Sequence, residues 1–157
     1  MKNLKLLIII FISKMVLSCS TNCERTDSMI EYQRIYETES HRLLTLNNLM
    51  REDYSNIKSI ELYDYYLITN FSDEQRSKRF EKDEFILDYP KLSFVPDLMV
   101  RTNINLMSFN SSNLELKLNC PNGLTLQLAN NPNGNRDEQT VLELSSNWKV
   151  IKHKTGS

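Results

Sequence analysis

Three cysteines, two histidines and a run of tyrosines are the residues of this chain with chemistry to offer, and the cysteines say most. Cys19 closes a stretch in which Lys2 and Lys5 precede the apolar residues 6–12, followed by Met15, Val16 and Leu17. A positive start and a short greasy segment are the layout of a secretory leader. Seven apolar residues rise only about 10 Å as a helix, whereas a bilayer core measures about 30 Å, so the segment is too short to stay embedded. His41 and His153 have no metal-ligand spacing to each other or to a cysteine, and the chain contains no His-Glu-x-x-His or Gly-x-Ser-x-Gly string. Three glycines in the whole chain argue against a glycine-rich phosphate cradle. Asn131, Asn133, Asn135 and Asp137 place oxygen side chains at alternate positions, as a calcium loop does. Only Asp137 and Glu138 are charged there, with Arg136 beside them, so a hairpin loop turning at Asn133-Gly134 is expected instead. Binding is thus the expectation over catalysis, with no metal and no cofactor.

The residues Val16, Leu17, Ser18 and Cys19 resemble the lipobox of bacterial lipoproteins. In that family the cysteine sulfur receives a diacylglycerol, the leader is cut before it, and the new N-terminus is usually acylated. The resemblance therefore implies a signal peptide over 1–18, a lipidated tether over 19–27 with Cys19 as the acylated residue, and one domain over 28–157. It also implies a place in the cell envelope, on the outer membrane or the periplasmic face of the inner one. Lys14 departs from the pattern by putting a charge in the apolar stretch. An ordinary leader cut near Ser18 or Ser20, with Cys19 incidental, is the alternative.

Removing 18 of 157 residues leaves 139, enough for one domain with a real core. The leader carries three lysines and no acids, so its loss takes the formal charge from −1 to −4. An acidic domain is a poor partner for nucleic acid or for anionic lipid headgroups. The membrane is expected to be reached through acyl chains, leaving the domain to meet a protein partner or a small ligand. Lipidation of Cys19 leaves Cys23 and Cys120 as thiols in an exported, oxidising compartment, where a disulfide between them is expected. The alternative is a free thiol at Cys23 and an ordinary strand residue at Cys120.

Apolar residues at alternating steps of three and four from Met29 to Met50 predict a long helix over 28–54, with Ser28 and Glu31 at capping-box spacing and a break near 38–41. Residues 59–69 are rich in β-formers and are predicted as one strand. Within it Tyr63 and Tyr65 are a sugar-stacking platform if they face solvent and ordinary half-buried packing if they do not. A solvated helix over 72–83, a brief strand over 85–89 and a loop over 91–97 are expected next. From Leu98 the period becomes two, and two runs about Pro121-Asn122-Gly123 predict a β-hairpin over 114–128. A second is expected from 141–144 and 148–153. The class is α+β, with the long N-terminal helix seated on a C-terminal antiparallel sheet.

The order of long helix, short helix and antiparallel strands, ending in Trp148, Lys149 and Val150, is similar to the cone-shaped nuclear-transport-factor-like domains. That resemblance covers about half of the mature chain and implies a pocket between sheet and helices, hence the competing reading of a small pocket enzyme or ligand carrier. A deep pocket lined by an acid and His41 favours the enzyme. A shallow surface with exposed Tyr63 and Tyr65 favours a binding module, an immunity-type lipoprotein among them.

Overall fold

The computed structural model describes residues 25–111, 113–119, 124–129 and 138–153. Helix α1 (Arg25–Glu52) is the predicted long helix, at 28 residues about 42 Å long. It begins at Arg25 and ends at Glu52, where the sequence predicts a helix over 28–54. Ser28 does not cap it; Ser28 is buried and Glu31 turns to Arg34 instead. The break expected near 38–41 does not occur, because Thr38 and Thr45 bond back to the carbonyls of Arg34 and His41 and so remain inside the helix. Its buried stripe is Tyr32, Ile35, Leu43, Leu46 and Met50.

The remainder is an eight-stranded antiparallel sheet in the order β3-β2-β1-β4-β5-β6-β8-β7. The predicted single strand over 59–69 is two strands, β1 (Ile57–Leu62) and β2 (Tyr66–Asn70), folded about a tight turn at Tyr63, Asp64 and Tyr65. The expected helix over 72–83 is instead strand β3 (Asp73–Phe80), paired with β2 from Asn70↔Asp73 to Tyr66↔Phe80. Two facts override the local helical preference: β2 offers an unpaired edge, and Phe80 on the new strand is buried against Phe85 and Tyr89. Lys78 and Arg79, among the charges that suggested a solvated helix, stand exposed on the edge strand of the sheet.

The chain then crosses back over one face. The stretch expected as a strand at 85–89 falls in helix α2 (Lys82–Asp88) and its C-cap Tyr89, and at the other end the N-cap Glu81 N–H donates to Glu84 Oε2 at 3.1 Å. The expected loop holds a 3-10 turn (Pro90–Leu92) and helix α3 (Val95–Thr102), with Pro96 in its first turn, where a missing N–H costs nothing. The period of two therefore begins at Ile104, not at Leu98. Strand β4 (Ile104–Phe109) pairs with β1, and β5 (Asn113–Leu118) with β6 (Leu124–Ala129), the first predicted hairpin. β7 (Glu138–Glu143) and β8 (Trp148–His153) form the second, with β8 inserted between β6 and β7.

One core joins these parts. Leu114, Leu116, Leu118, Leu124, Leu126 and Leu128 face α1, and Trp148 meets the ring of Tyr36 at 5.9 Å. The alternate residues of β6, Thr125 and Gln127, are buried as well, so this central strand is covered on both faces. Glu39, the charged residue among the buried polar positions of α1, is nearly buried and receives Arg101 of α3 at 3.2 Å and Arg42 at 3.8 Å. Lys78–Asp88, Lys82–Asp97 and Lys91–Asp53 pairs stitch β3, the short helices and the end of α1 at the surface. Among the described residues no helix is long and apolar enough to cross a membrane.

Candidate functional site

The β1–β2 turn presents Tyr63 to solvent, 56% exposed, with Tyr65 half-buried beside it. Their ring centres are 5.4 Å apart, and the Arg79 guanidinium of β3 lies 3.6 Å over the Tyr65 ring, a cation–π contact that holds that ring in place. The Tyr63 hydroxyl donates to Glu61 Oε2 at 2.9 Å. That bond to a carboxylate holds the Tyr63 phenol above its ordinary pKa and fixes the tilt of the ring. The Tyr63 N–H closes the turn on the Tyr65 carbonyl at 2.9 Å.

Because β4 lies beside β1, the end of α3 and the start of β4 come up against this turn. Between them runs a groove of about 520 Å³. Its floor is Leu62, Met99 and Ile104, the last two wholly buried in the core, so the floor is closed and the groove is shallow. The rim is Tyr63, Asp64, the exposed Val100 and three amides, Asn103, Asn105 and Asn119.

Two of the three amides are placed by a local irregularity of the backbone, and the third follows the end of β5. Asn103 ends α3 in the left-handed region, at φ 54°, where asparagine is among the few side chains tolerated. Its carbonyl accepts the Asn119 N–H at 3.0 Å, which ties the helix end to the end of β5. Asn105 stands where the β4–β5 register shifts between Ile104 and Leu106, a bulge of the kind that re-aims a side chain. Among the described residues, none of the three side-chain amides hydrogen-bonds to protein. The groove thus offers planar donor–acceptor pairs, one carboxylate and one aromatic face, with no cation on its rim.

Beneath this end the Tyr32 hydroxyl of α1 donates to the Leu124 carbonyl at 2.9 Å and accepts the Leu118 N–H at 3.2 Å. Burial pushes the Tyr32 phenol up to about 12, against a smaller opposing effect of the Leu118 N–H. A second cleft of about 500 Å³ opens at the opposite end of the sheet, where α1 finishes, over Met50, Ile57, Phe71 and Phe109 with Arg51 at its side.

The sequence pointed to Tyr63 and Tyr65, and the turn brings them together. It did not point to Asn103, Asn105 or Asn119, whose meeting depends on the β1–β4 pairing; the helix-ending Asn after Arg101 was a signal only once α3 was known. His41 is exposed on α1 and lines neither cleft, and His153 ends β8. Cys19, Cys23, Cys120 and the loop over 130–137 lie outside the described residues. Among those described, no group of three or more His, Cys, Asp and Glu is placed to hold a metal ion. Compared with protein-family models, curated proteins and solved structures, the chain matches none.

Proposed function

We propose that this is an exported protein, cut before Cys19, anchored in the cell envelope by acyl chains on that residue, and acting by binding. The observation that carries the binding half is the tyrosine turn, exposed beside a shallow groove whose rim pairs no base with its single carboxylate. The anchoring half rests on the Val16-Leu17-Ser18-Cys19 string behind a leader too short to span a bilayer. Two or three acyl chains hold a domain stably on a membrane, where one is marginal. The Tyr32 hydroxyl fastens the early part of α1 to Leu118 and Leu124, the described residues on either side of position 120 in the sequence, and this supports the proposed Cys23–Cys120 disulfide.

Intact mass of the protein from its native membranes, with and without reductant, tests this reading. The expected mass lacks residues 1–18, carries acyl chains, and gains two hydrogens on reduction. A chain that keeps its leader contradicts it. For the immunity-type role, a pull-down from the native envelope that retrieves no protein partner counts against that partner class.

The competing reading is a small pocket enzyme or carrier of the cone-shaped fold. The long helix over a single antiparallel sheet supports it; three strands ahead of the short helices depart from the expected order. It requires a ligand enclosed between α1 and the sheet, in space that the buried leucines of β5 and β6 fill.

A further inference from the structure

The geometry points to a short neutral oligosaccharide as the ligand of the groove beside Tyr63. This inference rests on the reading of the protein as a binding module and names what that site takes. A pyranose has an apolar face of C–H groups and an equatorial belt of hydroxyls, each both donor and acceptor. An exposed aromatic ring answers the first and planar amides or carboxylates answer the second, because each amide offers a donor and an acceptor side by side. Tyr63 supplies the ring, held at a fixed tilt by Glu61, and Asn103, Asn105, Asn119 and Asp64 supply the hydrogen-bonding rim.

Three further observations separate sugar from other ligands. No Lys, Arg or His lines the groove, so a phosphate or carboxylate would meet only the like charge of Asp64. The floor of Met99 and Ile104 is closed, leaving no deep apolar pocket for the anchoring side chain that a peptide uses. The volume of about 520 Å³ falls in the range of small-ligand sites and is too open for one small ion. The amides also sit on a helix end, a bulge and a strand end, not on a long loop, so they are held in place before a ligand arrives and little order is lost on binding.

The test is calorimetric titration of the purified full chain with maltotriose and, separately, tri-N-acetylchitotriose. Saturable binding of at least one is expected. Tyr63→Ala weakens it about tenfold or more, and Tyr63→Phe, which keeps the ring, by less than about threefold. Asn105→Ala weakens it about tenfold, whereas Phe71→Ala in the opposite cleft leaves it unchanged. All three positions lie outside the fully buried core, and circular dichroism checks that each of the four variants is folded. No saturable binding of either sugar to folded protein, or binding indifferent to Tyr63→Ala, overturns the inference. Absence of sugar binding together with a retained protein partner removes the ligand class and leaves the binding module standing.

Discussion

The two ends of the sheet carry clefts of nearly equal size, about 520 Å³ beside Tyr63 and about 500 Å³ beside Phe71, yet their chemistry differs. At the Phe71 end Asn47 is buried inside α1 and Asn110 Oδ1 accepts the Asn113 N–H at 2.7 Å to shape the β4–β5 turn, and Arg51 puts a cation on the rim beside Ser55 and Ser111. At the Tyr63 end the amides serve no internal partner, and the backbone adopts a left-handed residue and a bulge to set them there. The left-handed Asn103 also caps α3 and ties it to the end of β5, so one backbone irregularity closes the fold and sets an amide on the rim. Volume alone does not distinguish the two ends; a cation at one and three side-chain amides with no cation at the other do.

That contrast breaks most visibly under core truncation. Phe109→Ala, beneath the Phe71 cleft, is expected to cost about 3–5 kcal/mol of stability in chemical denaturation, because it removes a nearly buried ring. The same variant, where folded, should bind ligand normally, and a loss of affinity in folded protein would move the functional surface to that end.

Tyr32→Phe is next, at about 1–3 kcal/mol, since it removes one bond to the Leu118 N–H and one to the Leu124 carbonyl. The pH dependence has a definite sign. Tyr32 keeps its proton in the fold to about pH 12, while the unfolded phenol ionises near 10. Its contribution is therefore complete below about pH 10 and is lost as pH rises from there towards 12, at up to about 1.4 kcal/mol per pH unit. Stability measured across that window should fall less steeply in Tyr32→Phe than in the parent chain.

Arg101→Ala is expected to cost about 1 kcal/mol, because Glu39 loses its closer cationic partner at a nearly buried site while Arg42 remains. Asn103→Gly should move stability by less than about 0.5 kcal/mol, relief of left-handed strain being offset by a looser unfolded chain. Ligand affinity should nonetheless fall with the lost amide, and that split between stability and binding sharpens the comparison of the two ends.

Much of the framework was legible in the residues. Alternating leucines at 114–118 and 124–128 predicted β5 and β6, and the apolar spacing from Met29 to Met50 predicted α1. The middle of the chain was not. Residues 73–80 carry the composition of a solvated helix and become a strand because an edge of β2 and a pocket for Phe80 await them, neither visible locally. Pro96 reads equally as a loop marker or as the first turn of a helix. Of the groove, Tyr63 and Tyr65 stood out as an aromatic pair. Asn103, Asn105 and Asn119 lie some forty to fifty-six positions further along. Only the crossover through α2 and α3, which lays β4 against β1, brings them to the same rim.

The most direct measurement of the central claim is amide hydrogen exchange of the full chain with and without saturating tri-N-acetylchitotriose or maltotriose. The account predicts slowed exchange at Tyr63–Tyr65 and around Asn103–Asn105 and Asn119, with the Phe71 end unchanged. Protection confined to the region of Arg51 and Phe71, or none at either end, would contradict it.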